Sequence, residues 1–160
     1  MALVSRTTDP AVQSAVANAA ARVEAKGASW GEAKRRTFEL LVAAGRPVKA
    51  YDLIAAYAPG RPPQPPTIYR AIQFLLDHGL VHRIACQNAF VACTLGAIAH
   101  ESGFLICSSC GATEETVLDS DAFANAAARV GFQVHQLISE IRGICPACSG
   151  AGLRGGLPEG

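Results

Sequence analysis

No stretch of the 160 residues approaches the roughly 18 to 20 consecutive apolar positions that a membrane-spanning helix needs. Nor is the opening expected to act as a secretory leader. The alanine-rich opening AVQSAVANAAARVEAKG carries Asn18, Arg22 and Glu24, and no basic region runs into an apolar core. A soluble cytoplasmic protein with no membrane partner is therefore expected. The chain has no internal repeat, and it has no H-E-x-x-H helix of the kind that builds many zinc hydrolases. Net charge is nearly absent, with 14 Lys/Arg against 13 Asp/Glu. That balance conceals an asymmetry: residues 1–93 hold 11 basic and 6 acidic residues, residues 94–160 hold 3 and 7. Phosphate binding needs cations placed locally, so a nucleic-acid-facing front half and a differently employed back half fit this division.

The front half reads as helices followed by a hairpin. Val12, Ala15, Val16, Ala19 and Val23 recur at helical spacing and predict an amphipathic helix ending near Gly27. Ser29 followed by Glu32 predicts a capping box opening a second helix through Leu40, Leu41 and Val42, closed by Gly45. Lys34, Arg35 and Arg36 lie near its start, and Arg35 and Arg36 count among the DNA-binding candidates. A third helix is expected over 50–57, stopped by Pro59 and Gly60, and the proline-rich 61–66 is expected to be non-helical. In TIYRAIQFLLDHG, the positions Ile68, Ala71, Ile72, Leu75 and Leu76 make one apolar face. Thr67, Tyr69, Arg70 and Gln73 are left outside it, bunched in the first two turns, where a recognition helix reads bases. LVHRIACQNAFVAC then alternates about Gln87 and Asn88 as a two-stranded wing would. The pattern is that of a winged helix-turn-helix.

After Cys93 the texture changes to short strands at 103–107 and 115–118, a helix at 121–130 and a strand at 132–144, an α+β unit. Six cysteines in a reducing compartment favour metal over disulfides. Cys107-x-x-Cys110 and Cys145-x-x-Cys148 offer four thiolates for a tetrahedral zinc ion. The 34 residues between the pairs must fold back to bring them together. Disulfides, a redox C-x-x-C or an iron–sulfur cluster are the other readings of these cysteines. His82, Cys93, His100 and Glu115 form a looser second set of good zinc ligand types. Each also has an ordinary reading, as a polar strand position, a small buried hydrophobe or a solvated loop residue.

Taken together, AYDLIAAY, PPTIYRAIQFLLDHGLVHRI, the single cysteine of FVAC, AHESGFLICSSCGATEE and GICPAC make this chain resemble the ferric uptake regulator family from about residue 31 to 149. The resemblance implies a permanent zinc on Cys107, Cys110, Cys145 and Cys148, and a second, exchangeable zinc on His82, Cys93, His100 and Glu115. Two zinc ions per chain follow. It further implies homodimerisation through the C-terminal unit and metal-dependent binding of double-stranded operator DNA. Tyr51, Thr67, Tyr69 and Arg70 match the DNA-contacting positions, with Arg70 the leading candidate for base readout. His100 stands alone in the segment leading into the first knuckle, with no histidine-rich cluster and no His-x-Asp following, and this departure from the iron- and peroxide-sensing branches favours zinc.

The expected organisation is a helix and winged-helix DNA-binding domain over 1–92, a hinge over 93–99, a zinc-stapled α/β dimerisation domain over 100–149 and a flexible tail over 150–160. The expected function is a zinc-responsive repressor of zinc uptake genes, with no catalytic residues and no small-molecule substrate. The alternative is a zinc-stabilised DNA-binding regulator that senses another metal or none. A zinc hydrolase fits less well, because catalytic zinc keeps a position open for water and the second set supplies four protein ligands. His78 and His135 read as structural or solvent-facing, and Cys86 has no assigned role beyond that of a wing residue or an alternative soft ligand near His82.

Overall fold

The structure is a computed structural model, and it describes residues 6–58, 63–93, 102–117, 121–134 and 137–149. The chain divides into two compact units, residues 1–99 and 100–160. Hinge residues 94–99, His100, His135, the Pro59–Gly60 stop and the tail beyond Ser149 lie outside the described residues. Both helix and strand are present, as an α+β fold requires. No helix among the described residues is long and apolar enough to cross a membrane.

Unit 1 begins with α1 (Pro10–Ala25). Asp9 caps it by accepting the Ala11 N–H at 2.8 Å, and Pro10 occupies the first turn, where its missing N–H costs nothing. Its stripe Val12, Val16, Ala19 and Val23 is buried in the core that it shares with Phe38, Leu40 and Leu41 of α2 (Glu32–Ala44). The expected capping box does not form. α2 is capped by Gly31 without a side-chain bond. Glu32 turns instead to Arg35 in a two-pronged pair at 2.9 and 3.1 Å, and Lys34 takes the Ser29 carbonyl at 2.6 Å. The box needs Glu32 as the third helical residue, but the helix starts two residues later than that and makes Glu32 its first. Gly45 ends the helix in the left-handed region at φ 58°, which a β-carbon would disfavour.

α3 (Ala50–Tyr57) leads toward α4 (Pro65–Asp77), and here the expectation of a non-helical 61–66 is too broad. Pro65 and Pro66 are the first residues of α4, because the first turn needs no N–H donor. The buried face of α4 is Ile68, Ala71, Ile72 and Leu75, each worth about 1.5–3 kcal/mol of burial for the larger side chains. β1 (Val81–Ile84) and β2 (Ala89–Ala92) pair antiparallel, with Val81 opposite Ala92 and Ile84 opposite Ala89. A single 3₁₀ turn, Ala85–Gln87, and Asn88 at φ 47° connect them. Two packed helices (α2 and α3), a recognition-type helix (α4) and a two-stranded ribbon define a winged helix-turn-helix, preceded by α1 as an extra N-terminal helix.

Unit 2 holds a three-stranded sheet of order β4-β3-β5, built from β3 (Ser102–Cys107), β4 (Thr113–Val117) and β5 (Ile138–Gly143). β3 and β4 form an antiparallel hairpin; β5 returns through α5 (Asp121–Arg129) to lie parallel to β3. The strand expected over 132–144 is thus only six residues long. β3 offers six partners, Ser102 opposite Ile138 through Cys107 opposite Gly143, while Phe132 and Val134 stay exposed. A short helix, α6 (Pro146–Ser149), closes the described chain.

Candidate metal centre and nucleic-acid interface

Parallel pairing explains how cysteines so distant in sequence meet. β3 ends at Cys107 and β5 at Gly143, directly opposite each other, so the two knuckles emerge from the same end of the sheet. The first knuckle is the tight connection of the β3–β4 hairpin, held by Cys107 N–H to Ala112 O at 2.8 Å and Gly111 N–H to Cys107 O at 2.9 Å. Gly111 sits at φ 74°, a conformation that suits glycine. The second knuckle begins two residues past β5, and Cys148 is turned back by its N–H bond to the Cys145 carbonyl at 2.9 Å. Ser108 N–H to Gly143 O at 2.8 Å ties the knuckles together.

The result is that the Sγ atoms of Cys107, Cys110, Cys145 and Cys148 all lie within 4.8 Å of one another. Cys110 and Cys145 are 3.7 Å apart at sulfur. A tetrahedron with metal–sulfur bonds of about 2.3 Å has edges of about 3.8 Å, so the spacing fits zinc, and it is far beyond a disulfide bond of about 2 Å. None of the six cysteines is in a disulfide.

The electrostatics point the same way. Backbone N–H groups of Cys110 and Cys145 aimed at its sulfur lower Cys107 to about 6, the Cys145 contact being 3.3 Å. Cys148 behaves oppositely: a Ser109 hydrogen bond lowers it, but the Cys145 and Cys110 thiols raise it more, to about 12. One sulfur prepared as a thiolate beside another forced to keep its proton is what four crowded thiols do without a counter-charge. A dication relieves that conflict by favouring all four thiolates.

Of the looser ligand set, His82 lies on β1 opposite Val91, and Cys93 follows β2 with its N–H bonded to Leu80 O at 2.9 Å. The ligand atoms of this histidine and this thiol lie within 4.8 Å of each other inside unit 1. Glu115 is on β4 of unit 2, opposite Phe104. His100 falls outside the described residues.

On the DNA-binding candidates, Thr67, Tyr69 and Arg70 are exposed along the start of α4, with Ile68 fully buried between them. Tyr51 is 79% exposed in the first turn of α3. Arg35 and Arg36 each carry a carboxylate partner. Arg35 pairs with Glu32, and Arg36 donates to Glu39 at 2.7 Å and to the Tyr57 carbonyl at 3.3 Å. Glu39, a buried carboxylate, also accepts from Gln13 of α1 at 2.9 Å. Burial opposes its ionisation, yet the Arg36 and Gln13 hydrogen bonds hold its pKa below the ordinary range. Sequence reading missed Glu39, although its positions three and four residues beyond Arg36 and Arg35 carried the signal. His78 is structural: it stacks on Phe74 with ring centroids 3.9 Å apart, and Lys34 sits over the Phe74 ring at 3.6 Å. Cys86 is exposed in the wing turn.

A winged-helix unit joined in sequence to a unit with a four-cysteine metal-capable centre defines a metalloregulator class of protein. No family model matches the chain. The zinc uptake regulation protein of Escherichia coli (strain K12) is 37% identical over 105 residues, which cover 63% of this chain. The chain spans 61% of the length of that curated relative. Among solved structures, holo XcZur is 33% identical with a TM-score of 0.76, covering 86% of this chain and 98% of that one. A zinc uptake regulator complexed with zinc and DNA is 29% identical with a TM-score of 0.81, covering 88% and 96%. The chain belongs to the ferric uptake regulator family and is most like its zinc uptake regulators.

Proposed function

We propose that this protein is a cytoplasmic, zinc-responsive repressor that binds operator DNA as a zinc-loaded homodimer and controls zinc uptake genes. Two ions per chain serve it. Cys107, Cys110, Cys145 and Cys148 hold a structural zinc that staples unit 2, and His82, Cys93, His100 and Glu115 hold an exchangeable one that reports zinc supply. Tyr51, Thr67, Tyr69 and Arg70 contact DNA, Arg70 reading a base edge. In support of dimerisation, Leu105 and Ile141 stand opposite each other in the sheet of unit 2 and are both exposed, an apolar patch suited to a second copy. The relative that is complexed with zinc and DNA supports both ligands.

The observation that carries the reading is the His82–Cys93 pair, a soft ligand couple built into the wing beside the recognition helix. An ion that draws ligands from both units biases the arrangement in which paired recognition helices enter successive major grooves. Linkage then requires operator DNA to tighten zinc by the factor with which zinc tightens DNA. A thiolate in the set selects zinc over harder ions such as manganese.

The test uses DNA selected from a random pool by the zinc-loaded chain. Its binding is titrated against buffered free zinc for wild type and Cys93→Ser. Wild type tightens with zinc; Cys93→Ser keeps its fold, its dimer and one ion, and loses the zinc response. Identical response curves would mean that this set is not the sensor.

A further inference from the structure

We propose that Lys49 and Arg83 form a phosphate clamp beside the recognition helix, supplying sequence-independent affinity for the DNA backbone; this rests on the reading of unit 1 as a DNA-binding unit. The clamp arises from one pair of hydrogen bonds. Val48, just before α3, bridges Phe90 of the wing, with each N–H donating to the other's carbonyl at 2.8 Å. Phe90 in turn stands opposite Arg83 in the ribbon. The N-cap of α3, which is Lys49, is thereby fastened next to the strand that carries Arg83.

Both cations border a single concavity of about 440 Å³ walled by α3, α4 and the wing. Its rim also carries Tyr51 and Tyr69, and no Asp or Glu lines it. Lys49 and Arg83 are exposed. Arg83 donates to Asn88 Oδ1 at 3.3 Å, so its guanidinium is oriented by the residue whose left-handed backbone forms the wing turn. That bond uses one of five N–H donors and leaves the rest for a ligand. The contrast with Arg35 and Arg36 is chemical, since their guanidiniums are ion-paired with Glu32 and Glu39. A helix seated in a major groove about 12 Å wide has phosphate-lined walls on both sides. Cations flanking α4 on its wing side meet such a wall, and a concavity of cations and hydroxyls without carboxylates complements a polyanion.

The clamp predicts a salt signature. Each phosphate that a variant leaves without its cation takes about 0.9 off the slope of log affinity against log salt. Per phosphate, raising salt fourfold then weakens the variant about 3.5-fold less than wild type. Zinc-loaded wild type, Lys49→Ala and Arg83→Ala are titrated with the selected operator duplex and with a scrambled duplex of equal length, after circular dichroism confirms the fold. The expected result is a parallel loss on both duplexes with a shallower slope. Lys49→Arg and Arg83→Lys should keep the wild-type slope, because a phosphate is served by a point charge of either kind. Unchanged slopes in both alanine variants overturn the clamp, and so does a loss confined to the operator, which marks base reading. If wild type binds neither duplex, the DNA-binding reading itself fails, a result distinct from either.

Discussion

Breaking the second knuckle should strongly destabilise unit 2 and leave unit 1 intact. Among the described residues of unit 2 the buried hydrophobic side chains are Phe104, Ile106 and Cys107, whereas α1, α2, α4 and the wing share a continuous core. So small a core rarely supplies more than about 3–5 kcal/mol. A metal bridging the knuckles cross-links Cys107 to Cys145 across 38 residues. Treated as a covalent clip, it removes loop-closure entropy from the unfolded chain worth about 4 kcal/mol at 25 °C. That is comparable with everything the core provides. The variant Cys145→Ser/Cys148→Ser leaves no thiolate on the β5 side, so no ion on Cys107 and Cys110 can close the loop. Hydrogen exchange of the zinc-loaded full chain measures the consequence. Amides of β3 and β5 should open about a thousandfold more readily than in wild type, since each 1.4 kcal/mol is a factor of ten. Amides of α2 around Leu40 and Leu41 should be unchanged. Wild-type protection in β3 and β5 of the variant would refute the reasoning, for the sheet would then stand without its clip.

Arg70→Ala should weaken operator binding by about 1–3 kcal/mol and relax preference at one base position, if it makes a bidentate guanine contact. Binding measured at fixed salt checks this, and unchanged affinity with zinc binding intact would remove α4 as the reader. Glu39→Gln should cost about 1.5–3 kcal/mol at neutral pH, because the acceptor of the Arg36 and Gln13 bonds loses its charge. The Glu39 pKa is lowered by folding, so its contribution is full above the ordinary carboxylate range and fades as pH falls through the folded value. Urea midpoints of wild type and Glu39→Gln should therefore differ at pH 7 and converge in acid; a gap independent of pH would assign the loss to packing.

Much of unit 1 is legible in the sequence because its signals are local. The stripe from Val12 to Val23, the face from Ile68 to Leu75 and the Gly45 stop each declare themselves within a few residues. Ligand chemistry is legible for the same reason, since a C-x-x-C brings two thiols within one turn. What tertiary structure decided is whatever depends on partners distant along the chain. The parallel register of β3 on β5 joins knuckles 34 residues apart and sets β5 at six residues where hydrophobicity alone suggests thirteen. A strand exists only where a neighbour hydrogen-bonds it, and no local pattern names that neighbour. Charge pairing followed the same logic. Arg35, Arg36 and Arg70 are alike as sequence, yet the buried Glu39, reached from α1 by Gln13, occupies Arg36, and Glu32 occupies Arg35. Arg70, displayed opposite a fully buried Ile68, is turned outward by the packing of the face beside it.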